Sequence, residues 1–222
     1  GVGTLGIMDD DVVDRSNLQR QIIHGTADIG RSKVRSAAAR VKDINPHVET
    51  VLYEERAEAE NLMEILSKYD FIIDAVDSFA SKFLINDACV LAKKPFCHGG
   101  IREFQGQVMT YVPGCGPCYR CIFEEIPADG QIDSCSQAGV LGTMPGIIGS
   151  LQALEAQKYL LGTGDLLTGA MLVFDGLSME FRKVKFSKAS PSCRVCGEKS
   201  DIKTLEKSEY EVAAACEWKG KQ

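Results

Sequence analysis

Two cysteine pairs, Cys118-x-x-Cys121 and Cys193-x-x-Cys196, have the spacing of metal hooks. Two thiolates of one hook can reach the same ion, and two hooks supply the four soft ligands of a tetrahedral zinc site. The hooks lie much further apart than in a compact zinc ribbon, so the metal would have to join distant segments. Cys115 stands at the same spacing before Cys118 and competes for a place in the set. Two redox dithiols are the other reading. With every ligand supplied by protein, water has no seat, and such a metal stabilises the fold instead of catalysing.

A second constellation lies between Ile7 and Val34. The apolar run Thr4 to Met8 ends in three acids, Asp9, Asp10 and Asp11. A polar loop with Asn17, Arg20 and Gln21 follows, and Lys33 then opens a helical segment that Ser32 can cap. In open α/β sheets ligands bind outside the carboxyl ends of strands, where an acid commonly grips ribose hydroxyls. A nearby arginine fork and lysine point charge suit a polyphosphate. A solvated acidic loop beside a surface helix is the plainer alternative. Asp77 stands just past the FIIDAV strand, where a carboxylate beside triphosphate would hold Mg2+ or else cap the next helix. Cys135 precedes a long helical stretch, a setting that lowers a thiol's pKa. Cys97 and His98 are adjacent in a strand and must face opposite ways, which excludes a working dyad. Cys89 falls in an apolar helix and reads as core, and His24 and His47 read as surface residues.

The elements that must position these groups alternate. Helices are expected over 33–44, 57–69, 79–92 and 139–162, the last bent near Pro145. Strands are expected over 4–8, 48–53, 71–76 and 95–99, then 104–112, 170–174 and 180–186. Alternating β and α units make a doubly wound, Rossmann-like, mostly parallel sheet, continued after Gly100 by antiparallel strands. The FIIDAV run has the composition of a fully buried parallel strand. GVGTLG, at the start, matches G-x-G-x-x-G but opens no helix and follows no strand, so the match is expected to be false.

SNLQRQ followed by Gly30 to Lys33, together with the CYRC and CRVC hooks, resembles the ThiF/MoeB/HesA group, bacterial relatives of ubiquitin-activating enzymes. The likeness runs over 1–197, read as one adenylation domain, with 198–222 a loose charged tail in which Trp218 could dock. It implies that the first strand, glycine-rich phosphate loop and first helix precede Gly1. It implies an ATP-dependent adenylyltransferase acting on the C-terminal Gly-Gly of a small ubiquitin-like sulfur carrier. It also favours Cys118, Cys121, Cys193 and Cys196 as ligands of a structural zinc. By matching positions, Asp9 would hold ribose, and Ser16, Asn17, Arg20, Lys33 and Ser78 would surround the phosphates. Asp77 would hold Mg2+, and Cys135 would be a candidate for covalent capture of the carrier. The resemblance further implies a homodimer. The small-residue face Gly139, Gly142, Gly146 and Gly149 permits close backbone contact, although core packing would look the same. With no rhodanese-like domain following, a separate sulfur donor is expected.

Composition sets the outer bounds. The chain has 222 residues and a formal charge of −6, with no basic stripe for nucleic acid. Nine cysteines without a signal peptide suggest a reducing cytoplasm, and no run spans a membrane. Two other classes fit parts of the pattern. One is an inactive activator-like scaffold, against which Arg20, Lys33 and Asp77 argue together. The other is a nicotinamide-dependent dehydrogenase, which would require a Rossmann loop and a hydride site.

Overall fold

The computed structural model describes residues 1–127, 139–186 and 188–210. Its strands form two sheets. β1 (Thr4–Met8) and β2 (Glu49–Tyr53) pair in parallel, Thr4 opposite Glu49 and Met8 opposite Tyr53. Between them runs α1 (Lys33–Ile44), whose Val34 and Ala37 are buried. Ser32 makes no side-chain cap to this helix, contrary to expectation. The backbone N–H of Lys33 donates instead to the Asp11 carbonyl.

The second sheet has the order β3 (Ile72–Asp74), β4 (Phe96–Arg102), β5 (Gln105–Tyr111), β6 (Ala170–Asp175), β7 (Glu180–Lys185). β3 and β4 are parallel and the remaining neighbours antiparallel. The parallel-then-antiparallel architecture is as expected. Its division into two sheets was not, and it explains why the FIIDAV segment is only half covered. β3 is an edge strand of its sheet, with Ile73 47% exposed. The β4–β5 hairpin is tighter than expected, because Glu103 takes a positive φ of 50° and lets Arg102 pair with Gln105.

Strand parity divides the core. Phe96, Met109 and Tyr111 face α3 (Phe79–Leu91), α2 (Leu62–Ser67) and the cysteine hooks. Cys97 and Val108 face the other way, joining Met144 and Ile148 of a long helix over Thr143–Leu161. Gly106 permits that approach, since a Cβ there would collide with Ile148. α2 starts later than expected. Asn61 folds the preceding loop, accepting from Glu58 N and donating to Glu55 and the Arg56 carbonyl. The short helix α4 (Arg120–Phe123) carries the first cysteine hook, and the Thr143–Leu161 helix is therefore α5. Pro145 falls in the first turn of α5, where no backbone N–H is needed, so no bend has to be invoked. Gly162 closes α5 in the left-handed conformation, φ 60°.

The segment after Gly197, expected to be a loose tail, is docked as far as Tyr210. Ile202 is buried against the α3 side of the core. Arg194 forks onto Asp201 and onto Glu209. Trp218 lies outside the described residues. Among the described residues no helix is long and apolar enough to cross a membrane.

Candidate functional site

The loop after β1 is held from within. Val13, fully buried, exchanges backbone bonds with Arg31 and Gly30, closing the loop at its base. Asp14 starts a 3-10 turn over Arg15–Asn17. Its carboxylate accepts Ser16 N at 2.7 Å, while the Asn17 side-chain carbonyl accepts Asp14 N at 2.9 Å. The bonds from Ser16 hold the Asp14 carboxyl below its ordinary range. Asn17 is thus partly committed to the turn, which leaves its amide N–H donors as the part able to meet phosphate. Arg20 donates from Nη1 to the Ser16 carbonyl at 3.1 Å and has no carboxylate partner among the described residues.

Lys33 reaches back across the loop. Its Nζ lies 2.8 Å from Asp11 Oδ2 and 3.6 Å from Asp9 Oδ2. Burial alone would lower this ammonium's pKa, but the two carboxylates outweigh it and the group sits above its ordinary value. The fold therefore gathers Asp9, Asp11 and Lys33 at the carboxyl end of β1, with Asn17 and Arg20 on the same loop. Asp11, which contacts Lys33 more closely than Asp9 does, was not singled out in the sequence. An incoming polyphosphate would have to draw Lys33 away from it. His24, expected at the surface, is half-buried and bonds to Ser36 Oγ at 2.8 Å. The loop also touches the lead-in to α5, through Gln19 Nε2 and the Val140 carbonyl, and Val140 bridges to Glu103 beyond β4.

At the end of β3, Asp77 is exposed and pairs with no other described residue. The helix cap is Ser78, whose Oγ accepts Ser81 N at 3.1 Å. Capping is therefore not the work of Asp77, while the Ser78 hydroxyl is engaged in the cap. Behind this loop lies a buried polar group that sequence reasoning missed. His98 Nδ1 is 2.8 Å from Asp74 Oδ2, and Lys82 Nζ is 3.6 Å from Asp74 Oδ1. Asp74 is held low even against burial, by Lys82 and His98. Burial and the Lys82 charge lower His98, so its ring is neutral. Nδ1 then carries the hydrogen donated to Asp74, and Nε2 accepts from Gln107 Nε2 at 3.3 Å. Burial pushes the Cys97 thiol up to about 12, and its Sγ lies on the α5 side, so the absence of a dyad holds.

The four hook cysteines converge. Their Sγ atoms all lie within 4.8 Å of one another, and Cys115 stands outside the group. The closer pairs are Cys118–Cys121 at 3.8 Å, Cys118–Cys193 at 3.6 Å, Cys118–Cys196 at 3.5 Å and Cys121–Cys196 at 3.3 Å. A tetrahedron with Zn–S bonds of ~2.3 Å has edges of about 3.8 Å, so the cluster fits zinc after slight expansion. Hydrogen bonds among the four thiols hold Cys193 low and push Cys118 up. Arg120, inside the first hook, is buried and forks onto Asp87 of α3 at 3.1 and 2.6 Å. Tyr210 donates to the same carboxylate at 3.0 Å, and Asn86 Oδ1 accepts Tyr119 N at 2.8 Å. This joint between hook and helix was also missed. Its only sequence signal is polar residues on the buried face of an apolar helix. Cys135 lies outside the described residues.

Comparison with known proteins follows the same lines. The chain is 43% identical over 215 residues to the SAMP-activating enzyme E1 of Haloferax volcanii, covering 97% of this chain and 78% of that one. It is 43% identical over 210 residues to a sulfur carrier protein adenylyltransferase of Thermus thermophilus, covering 92% and 77%. It is 41% identical to the mouse adenylyltransferase and sulfurtransferase MOCS3, but spans only 46% of that protein's length. Among solved structures, E. coli MccB with ATP superposes with a TM-score of 0.76 at 19% identity, over 88% of this chain and 59% of that one, a likeness of fold. Residues 1–195 match the ThiF family, and the chain belongs to that family.

Proposed function

We propose that this chain adenylylates the C-terminal carboxylate of a small ubiquitin-like sulfur-carrier protein, as the names of its relatives suggest. The observation that carries the reading is the cluster at the end of β1. Family membership supplies the reaction class, and Asp9, Asn17 and Arg20 stand on the loop after β1 while Lys33, opening α1, reaches back to Asp9, where such a sheet takes its ligand. The carrier carboxylate, already ionised near pH 7, attacks the α-phosphate of ATP, forming acyl-adenylate and releasing pyrophosphate. No general base is required. Catalysis rests on holding the two reactants in line and on neutralising charge that builds on phosphate oxygens.

In this reading Asp9 accepts from the ribose hydroxyls. Ser16 and Asn17 donate to phosphate, Arg20 forks onto it, and Lys33 leaves Asp11 for the phosphates near the reacting centre. Asp77 holds the Mg2+ that accompanies ATP, as an exposed carboxylate without an internal cation suits a hard ion. Ser78 orients the Asp77 loop through its cap. Zinc bound to Cys118, Cys121, Cys193 and Cys196 would stabilise the fold and take no part in the reaction. A homodimer is supported by α5, where a Cβ on Gly146 or Gly149 would meet nothing and Leu154 and Leu161 are exposed. Cys135 would act only after adenylylation, in covalent capture of the carrier. A cytoplasmic setting completes the reading.

Carrier-dependent exchange of labelled pyrophosphate into ATP tests it. Exchange that needs both the carrier and its terminal Gly-Gly is expected, with Arg20→Ala lowering it by about 10²–10³-fold. Wild-type protein that catalyses no exchange with any Gly-Gly carrier would sink the proposal.

A further inference from the structure

Asp77 owes its position to residues that never meet solvent. It lies on the turn between Asp74, the last residue of β3, and Ser78, the cap of α3. Asp77 itself is exposed, and the only apolar anchor beside it among the described residues of the turn is Val76, which packs against the α3 side of the core. Asp74 holds the strand end of the turn. Its Oδ1 accepts Val76 N at 3.2 Å, its Oδ2 accepts from His98, and its carbonyl accepts Gln152 Nε2 of α5 at 2.7 Å. Lys82 holds the helix end. It lies in the first turn of α3, its N–H bonded to the Ser78 carbonyl, and its Nζ donates to the Gly99 carbonyl of β4 at 2.8 Å while facing Asp74.

Burying an ammonium and a carboxylate costs more than burying apolar groups of the same size. An apolar pair could hold strand to helix. It could not supply an ionised acceptor for the Val76 N–H and the His98 N–H together, which fixes the direction in which the chain leaves β3. Lys82 keeps that acceptor ionised in a dry setting, and His98 fixes its second oxygen.

We infer that Asp74, Lys82 and His98 are positioning residues that set the Asp77 carboxylate for divalent-cation binding. The inference rests on the reading of Asp77 given above. None of the three touches substrate. Their effect is to be sought in cation affinity more than in turnover, since partners that orient a metal ligand typically carry ~10–100-fold in affinity.

The test compares wild type, Asp77→Asn, Lys82→Met, Lys82→Arg and His98→Asn. Bound Mn2+ is counted by electron paramagnetic resonance with a non-hydrolysable ATP analogue, beside the Mg2+ dependence of pyrophosphate exchange and the melting temperature. Lys82→Met is expected to weaken Mn2+ and raise the half-saturating Mg2+ by about tenfold, with exchange at saturating Mg2+ nearly preserved and Lys82→Arg restoring affinity. A purely structural role would lower the melting temperature and leave cation affinity alone. A folded Lys82→Met protein with wild-type cation affinity overturns the inference. Should that variant not fold, unchanged affinity in His98→Asn overturns it equally. No exchange by wild type defeats the adenylylation reading and takes this inference with it. Unaltered Mn2+ binding in Asp77→Asn defeats the metal role of Asp77 and, through it, this inference.

Discussion

The cysteine cluster with its surroundings and the loop at the end of β1 are built on opposite principles. Behind the first cysteine hook Arg120 is buried and paired with Asp87, which also accepts from Tyr210, and the hook is thereby fixed to α3. At the end of β1, Lys33 pairs with two acids of which Asp11 stays 69% exposed, and Arg20 has no acid among the described residues. A buried, fully satisfied network is costly to break and has no spare valence for a ligand. A pair with one partner in solvent, as Asp11 is beside a Lys33 side chain only 13% exposed, is held less firmly than a sealed one and yields more readily to a phosphate. The contrast separates a region that holds the fold from one that is free to bind.

Four measurements would break or sharpen that contrast. Replacing one ligand, Cys193→Ala, should release the metal, seen by elemental analysis, and forfeit much of a binding energy of up to ~10–16 kcal/mol in apparent terms. The protein should then unfold or melt far lower, and a variant that keeps full zinc removes Cys193 from the set. Next, Asp87→Ala leaves Arg120 buried without its partner and should cost ~3–5 kcal/mol in denaturant unfolding. A loss below ~1 kcal/mol would place Arg120 among surface pairs and erase the distinction between the regions. Lys33→Ala should do the reverse. Pyrophosphate exchange falls about 10²–10³-fold while stability changes by no more than ~1 kcal/mol. Unfolding of this variant would mean that the β1 loop is structural after all.

The smallest effect concerns His98. Its folded pKa is depressed by burial and by Lys82, so the unfolded chain binds a proton more readily. This contribution is present above the unfolded value of ~6.5 and is lost as pH falls below it, at most ~1.4 kcal/mol per pH unit. Denaturant midpoints should therefore decline between pH 7.5 and pH 5.5, less steeply in His98→Gln. His24, lowered mainly by burial, adds a part of the same sign that the variant keeps. Equal slopes in both proteins would show that His98 takes up its proton at the same pH in the folded and unfolded chain, so that burial does not depress it.

The candidate site residues could be picked out in the sequence because their signals are local. The hooks are a spacing, the acids follow an apolar run, and Lys33 follows a loop of fixed residue types. Strand and helix order was legible for the same reason, since hydrophobic period is written into consecutive residues. Where long-range partners decided, the sequence was silent. Nothing near Ser32 indicates that the Asp11 carbonyl will take the first N–H of α1. Nothing within 57–69 says that Asn61 will spend its amide on the preceding loop. Lys82 and Asp87 drew no notice in the sequence, His98 was weighed only as a partner of Cys97, and the charged run after Gly197 read as tail. Each is buried or docked only because a second element delivers its counter-group, β3 to His98, the hook to Asp87, and Arg194 to Glu209. A buried charge is tolerated when its partner is present, and that partner lies many residues away. The sequence by itself determined which groups could do chemistry. Tertiary structure alone decided which charges are sealed in place and which remain free to move.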